Sequence, residues 1–199
     1  MKRLLVACEY SGRVREAFRK KGWDAWSCDL LDAEDGSPYH HKGDVLSLLD
    51  KGWDMMIAHP PCTRLANSGV RWLHERGLWK ELDKACEFYE SFRKAPIPRK
   101  CIENPIMHRY AKERLGEIRR QVVQPWQFGE PFFKATGLEL FNLPALVPTD
   151  ILSKPAKGTA EHKKWSACHM ASPGPNRWKE RSRTYQGIAD AMANQWGDL

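Results

Sequence analysis

Residues 4–28 read LLVACEYSGRVREAFRKKGWDAWSC, and this stretch sets the architecture. Leu4-Leu5-Val6-Ala7 is a short apolar run of the kind that forms a buried strand. From Gly12 to Lys21 the apolar residues Val14, Ala17 and Phe18 recur at helical spacing on one face, and Ala25-Trp26-Ser27-Cys28 reads as a second strand. Strand, helix and strand in succession make a βαβ unit, which commits the chain to a parallel sheet with helices on its faces. The pattern continues outward. A third strand is expected near Asp44-Val45 and a fourth at Met55-Met56-Ile57-Ala58, before a long helix from Leu78 to Arg93 that Pro96 and Pro98 terminate. Lys100-Cys101-Ile102 reads as strand five and Met107 to Leu115 as a helix. Gln121-Val122-Val123 and Leu138-Glu139-Leu140-Phe141 read as an antiparallel pair. The fold class is therefore α/β, a mainly parallel sheet with helices on both faces.

At 199 residues, 42% of them hydrophobic, the chain has material for one domain with a buried core and too little for two. We divide it into a core over residues 1–143, an irregular insertion over 144–180 rich in Pro, Gly, Lys and Trp, and a helical segment over 181–199 that packs back on the core. No apolar run is long enough to span a membrane, and the short apolar stretch after Met1-Lys2-Arg3 ends at Glu9, which does not suit a signal peptide. Six cysteines, at 8, 28, 62, 86, 101 and 168, show no CxxC pairing and fall largely in apolar segments. That usage suits a reducing, cytoplasmic compartment rather than a disulfide framework. His162, Cys168 and His169 match no zinc spacing, so no metal is expected. Lys and Arg outnumber Asp and Glu by 32 to 25, a net charge of +7 that favours a polyanionic partner. A monomer is expected.

The chemistry-bearing residues stand at strand ends. His59-Pro60-Pro61-Cys62 follows the fourth strand directly, at the carboxyl end where α/β folds place their ligands. Paired prolines cannot extend the strand, so they form a stiff turn that presents Cys62 in one geometry, as a nucleophile requires. Read alone, the tetrapeptide equally describes a buried structural cysteine after a turn. Cys101-Ile102-Glu103-Asn104-Pro105 repeats the arrangement one strand later, and Glu103 shares the cleft of Cys62 if the two strands are neighbours. Read alone, it is an ordinary strand-end turn or helix cap. Three further places are where such folds hold a nucleotide-like cofactor: Cys8-Glu9-Tyr10-Ser11-Gly12 after strand one, Asp29-Leu30 after strand two, and Gly43-Asp44-Val45 ahead of the Cys62 strand. A carboxylate after strand two suits ribose hydroxyls, and Gly12 permits close backbone approach at a helix N-terminus. Each also fits an ordinary turn.

In this order and spacing the residues resemble the cytosine-5 DNA methyltransferase family over about Leu4 to Thr136 and again near the C-terminus, and the short chain is similar to compact bacterial and phage enzymes. The resemblance implies a Rossmann-like fold that binds S-adenosyl-L-methionine and acts on DNA. It sets Glu9, Tyr10, Ser11 and Gly12 at the family's first motif, Asp29 with Leu30 at the ribose ligand, and Asp44 with Val45 at the adenine contact. Pro60 and Gln186 complete the implied cofactor site, Gln186 within Thr184-Tyr185-Gln186-Gly187-Ile188-Ala189, which resembles the family's last motif. Cys62 matches the Pro-Cys nucleophile, Glu103 and Asn104 the Glu-Asn pair, and Thr63 to Gly69 the catalytic loop, with Pro61, Asn67 and Ser68 toward the substrate. Two departures stand out. Tyr10 occupies a position where the family has glycine. The family's Gln-x-Arg-x-Arg strand is replaced by Phe132-Phe133-Lys134-Ala135-Thr136, which leaves Lys134 and Thr136 as substitutes for its contacts to the base.

The resemblance also implies a mechanism. Cytosine C5 is too weak a nucleophile to accept a methyl group until Cys62 adds at C6, and a thiol of pKa about 8.5 is little ionised at neutral pH without help from its site. Glu103, its pKa raised by burial, would share a proton with ring N3, and a base inside a duplex must be flipped out. The insertion over 144–180 stands where the family has its target-recognition region. Its Lys154, Lys157, Lys163, Lys164, Trp165, Arg177, Trp178 and Lys179 suit phosphates and unstacked bases, or equally a solvated loop anchored by its tryptophans. Two alternatives stay open at this level. One is a nucleotide-level pyrimidine C5-modifying enzyme, since thymidylate synthases also present Pro-Pro-Cys to C6. The other is a nucleic-acid-binding pseudo-methyltransferase with weak catalysis, which the altered motif at Lys134 to Thr136 would suit.

Overall fold

The computed structural model describes residues 1–116, 119–166 and 182–199. Its centre is a sheet of strands β1 (Arg3–Ala7), β2 (Asp24–Asp29), β3 (His40–Lys42), β4 (Met55–Ala58), β5 (Arg99–Pro105), β6 (Gln121–Val123) and β7 (Thr136–Phe141). Their spatial order is β3-β2-β1-β4-β5-β7-β6. The first five strands run parallel, and β7 enters antiparallel between β5 and β6. Around the sheet lie α1 (Arg13–Arg19), α2 (Val70–Arg76), α3 (Trp79–Lys94), α4 (Arg109–Leu115), α5 (Ala160–Trp165) and α6 (Gln186–Trp196). The strand order reverses between β1 and β4, which opens a crevice at their carboxyl ends, the usual ligand position in this architecture.

Alternation along the central strands divides the core in two. Leu4, Val6, Met55 and Ile57 join Val14 and Phe18 of α1 and Met192 and Trp196 of α6 on one face. Leu5, Ala7, Met56 and Ala58 join Leu82, Tyr89 and Phe92 of α3 and Ala111 and Leu115 of α4 on the other. All four residues of β4 are buried, as a parallel strand covered on both faces requires. Each large aliphatic side chain so enclosed contributes about 1.5–3 kcal/mol relative to exposure. The segment after β7 lies on this body. Leu146 is buried, Val147 exchanges hydrogen bonds of 2.8 and 2.7 Å with Gln195, and the Trp196 indole donates to the Pro144 carbonyl at 3.1 Å.

Two elements differ from expectation for local reasons. β3 lies at 40–42 rather than at Asp44-Val45, because it is a polar edge strand, His40-His41-Lys42, with no apolar signature to announce it. Asp44 instead caps a 3-10 turn, Val45–Leu48, accepting the Leu46 N–H at 3.0 Å. β5 runs on to Pro105, so Glu103 and Asn104 are strand residues, opposite Leu138 and Gly137 of β7, rather than members of a turn. Among the described residues no helix is long and apolar enough to cross a membrane, and no three His, Cys, Asp or Glu side chains are grouped to hold a metal ion.

Candidate active site

The parallel pairing of β4 and β5 sets Ala58 against Ile102, so the next residues, His59 and Glu103, leave the register side by side. Their side chains meet, with His59 Nδ1 2.9 Å from Glu103 Oε2. Asn104 is fully buried, and its Nδ2 donates to the Pro60 carbonyl at 3.3 Å, tying β5 to the Pro-Pro turn. Pro60 is buried, Pro61 exposed and Cys62 half-buried. The Leu65 and Ala66 N–H groups both donate to the Cys62 carbonyl at 2.9 Å, which folds the following loop back on itself. That loop is clamped to the segment after β5. Asn67 N–H donates to Ile106 O at 3.1 Å, His108 N–H to Leu65 O at 3.0 Å, and the His108 ring to Arg64 O at 2.7 Å through Nε2. Asn67 and Ser68 are exposed, while a Cβ at Gly69 would run into the Thr63 carbonyl oxygen.

Burial raises the pKa of the Glu103 carboxyl, but the hydrogen bond and charge of His59, with Lys134 and Arg120 behind it, together outweigh burial and hold it below its ordinary range. The direction is opposite to the burial-raised pKa expected for Glu103. Lys134 Nζ donates to the Arg183 carbonyl at 3.2 Å and stands 5.6 Å from the centre of the Tyr185 ring. Thr136 is buried, and its hydroxyl donates to the Lys134 carbonyl at 3.2 Å. His59, Glu103, Lys134, Thr136, Thr184 and Tyr185 line one narrow cleft.

Across the strand-order reversal lie the residues read as a cofactor site. Cys8 and Gly12 have φ of +58° and +71°, so the turn from β1 into α1 bends sharply, and at Cys8 it does so with a strained non-glycine residue. Glu9 is buried and accepts the Val14 and Arg15 N–H groups at 2.8 and 3.2 Å, so its carboxylate shapes the helix N-terminus from inside. Tyr10 is also buried, and the half-buried Ser11 donates to Glu9 Oε1 at 3.4 Å. Asp29 is half-buried, with Oδ1 accepting the Leu31 N–H at 3.0 Å, while Leu30 and Asp44 are exposed. The Gly43 N–H donates to the Asp29 carbonyl at 2.9 Å, which brings the Asp44 segment to the end of β2, and burial, followed by the charges of Asp29 and Asp44, pushes the Cys28 thiol up to about 12. Two carboxylates beside an exposed leucine make an acceptor set that fits the hydroxyls and amino group of a nucleoside, with an apolar surface for its ring. Val45 turns into the core, and Gln186 is exposed at the start of α6, donating to Asp190 at 2.9 Å.

Trp165 departs from expectation. Its indole is buried, 5.3 Å from the Phe133 ring centre, and donates to Glu161 at 3.0 Å, so it anchors α5 instead of offering a face to a base. Arg177, Trp178, Lys179, Cys168 and His169 lie outside the described residues. Two features escape a linear reading. The first is His59, whose partner is 44 residues away and becomes a neighbour only through the β4–β5 register. The second is a groove of about 400 Å³ beside the Cys62 loop, lined by Asn67, Arg71, His74, His108, Arg109 and Tyr110. Next to it the exposed Trp72 lies 5.0 and 4.3 Å from the Arg71 and Arg76 guanidinium groups. The basic and aromatic run 71–76 was the available signal, but only the fold brings Arg109 and Tyr110 to it.

No protein-family model and no curated protein sequence matches the chain. Solved structures do. One is a prophage-encoded E. coli protein assigned as a DNA modification methyltransferase, with a TM-score of 0.52 and 16% identity over 76% of this chain and 52% of that one. Another is the Entamoeba histolytica methyltransferase EhMeth, with a TM-score of 0.52 and 12% identity over 80% of this chain and 58% of that one. The chain thus spans little more than half the length of either. At these identities the likeness is one of fold: the architecture is a Rossmann-like α/β fold that these two structures share.

Proposed function

We propose that this protein is an S-adenosyl-L-methionine-dependent DNA cytosine-5 methyltransferase acting through a covalent bond between Cys62 and C6 of the base. The observation that carries the reading is the β4–β5 register, which ties the start of the Pro-Pro-Cys turn to β5 through His59–Glu103 and Pro60–Asn104. In this reading residues 1–143 and 181–199 form the catalytic body, and 144–180 takes the place of a recognition region. The turn Glu9–Gly12, Asp29, Leu30, Asp44, Pro60 and Gln186 would hold the cofactor, which when bound supplies the electrophilic methyl group. Val45 would support that site from the core.

The remaining work belongs to the chain's own groups. Pro60 and Pro61 present Cys62 to C6, and Asn104 keeps that turn in place through the Pro60 carbonyl. Glu103 meets the base at N3 and the exocyclic amine, and Lys134 with Thr136 faces its O2 side from across the cleft. DNA is the partner that Arg71, Arg76 and Arg109 suit, since guanidinium groups pair with phosphates and Trp72 offers an indole to an unstacked base. A monomer working in the cytoplasm completes the proposal.

The test is base-resolution methylation sequencing of DNA from cells expressing the protein, with Cys62→Ala as control. New 5-methylcytosine in a defined context that disappears in Cys62→Ala supports the reading, as does a denaturation-resistant complex with DNA containing 5-fluorocytosine, in which fluorine blocks C5 deprotonation. Methylation that survives in Cys62→Ala would overturn it.

A further inference from the structure

His59 has no task in the mechanism above, yet the site's geometry converges on it. One ring nitrogen is held 2.9 Å from Glu103, and the side chain is only 7% exposed. The other, Nε2, is buried without a hydrogen-bond partner among the described residues, on a side chain that lines the same cleft as Glu103 and Lys134. Buried polar atoms are nearly always paired, so an unpaired one in a cleft points to a partner that arrives with substrate. Imidazole is also the side chain that gives and takes protons near neutral pH.

We infer that His59 is the positioning residue of Glu103, and that the pair holds one shared proton which Glu103 passes to ring N3 as Cys62 adds to C6. The inference rests on the methyltransferase reading. The step balances: the Cys62 thiolate forms the S–C6 bond, the C5–C6 π pair moves to C4–C5, and the C4–N3 π pair settles on N3. Ring N3 takes its proton from Glu103, which takes one from His59 Nδ1, leaving neutral imidazole. C5 then bonds the methyl group, or a solvent proton where no methyl donor is present, with the C4–C5 π pair while the N3 pair restores C4–N3. On elimination C5 gives its original proton to water, the C5–H pair forms the C5–C6 π bond, Cys62 leaves with the S–C6 pair, and the N3 proton returns to the His59–Glu103 pair. An ionised Glu103 in the free protein is thereby compatible with its service as an acid. The charged groups around the pair come from every packed element: Glu9 after β1, Lys134 ahead of β7 and Arg120 ahead of β6. Tyr185, ahead of α6, lines the same cleft.

DNA carrying 5-tritiated cytosine tests this without methyl donor, because addition at C6 lets C5 exchange its hydrogen with water. The expected result for His59→Asn, which keeps a donor near the Nδ1 position but cannot titrate, is a protein that still unfolds cooperatively and tritium release whose alkaline limb moves at least one pH unit lower. Release that superimposes on the parent's at every pH, or that falls equally at every pH, would overturn the inference. Proton NMR of the free protein supplies a readout independent of turnover: a low-field Nδ1–H resonance of His59, held against Glu103 at 2.9 Å, should move upfield in Glu103→Gln, and an unmoved resonance would also overturn the inference. Absence of any Cys62-dependent release by the parent would instead sink the methyltransferase reading itself.

Discussion

Glu9 offers the sharpest test of how the β1–α1 turn is built. It is 4% exposed, and its two oxygens accept the Val14 and Arg15 N–H groups at 2.8 and 3.2 Å. These are among the first amides of α1, which have no partner within the helix. Replacing Glu9 with Gln keeps the shape but turns one acceptor into a donor facing an amide, at a cost of about 1–3 kcal/mol. In a chain of this size that corresponds to a fall in Tm of roughly 2–12 °C. The pH dependence carries the sign. Burial raises the Glu9 pKa in the folded protein, and the nearby His59, the two amides and Arg15 offset this only in part. A group whose folded pKa is raised contributes stability that is fully present below its unfolded value and is lost as pH rises through the folded value. The parent should therefore lose stability from its ordinary 4.5 upward in a way that Glu9→Gln does not, and the cost of the substitution should shrink as pH rises. Urea unfolding of both proteins at several pH values from 4 to 8 measures it. A cost that grows with pH would refute the reasoning, because the amides would then favour the charged form by more than burial disfavours it.

Asp29→Ala and Asp44→Ala should each weaken S-adenosyl-L-methionine binding by about tenfold to a hundredfold, the loss expected for a charge-assisted hydrogen bond, as measured by calorimetric titration. Unchanged affinity in both would remove the cofactor assignment. Arg71→Ala and Arg109→Ala should each lower DNA affinity and reduce the slope of log K against log salt by roughly 1, while leaving cofactor affinity unchanged. An unaltered slope in the double variant would take the groove out of the DNA-binding surface. Glu103→Gln should destabilise the protein at neutral pH and progressively less in acid, because a carboxyl held below its ordinary 4.5 contributes stability above that value and loses it as pH falls through the folded one. Equal destabilisation across the acid range would contradict the His59–Glu103 pairing.

What was legible in the sequence follows from which interactions are local. The βαβ unit and β4 were plain because apolar runs and helical spacing record burial directly, and burial on both faces makes β1 and β4 continuous apolar runs, whereas β5 showed only its apolar centre at Cys101-Ile102. β3 was displaced by a few residues because a polar edge strand buries little, and Asp44 marks a cap rather than a strand end. Trp165 stayed open between two readings for a related reason. Cations and indoles interleaved along a chain say nothing about which indole turns inward, and this one packs on Phe133, 32 residues earlier.

The candidate site shows the same limit from the other side. Cys62, Glu103 and Asn104 stand out as residue types at strand ends, but how Glu103 behaves depends on a neighbour that only the register supplies. His59 acts on two buried carboxylates. On Glu9 its charge is the largest opposing influence and still loses to burial, whereas on Glu103 it adds a direct hydrogen bond, and with Lys134 and Arg120 it prevails. Two carboxylates flanking one imidazole thus shift in opposite directions. The acid beside α1 takes a structural role at the helix N-terminus, and the acid in the cleft is kept ionised within reach of a proton donor. That division of labour is a property of the sheet order β1-β4-β5, which sets the two carboxylates on either side of the strand that carries His59.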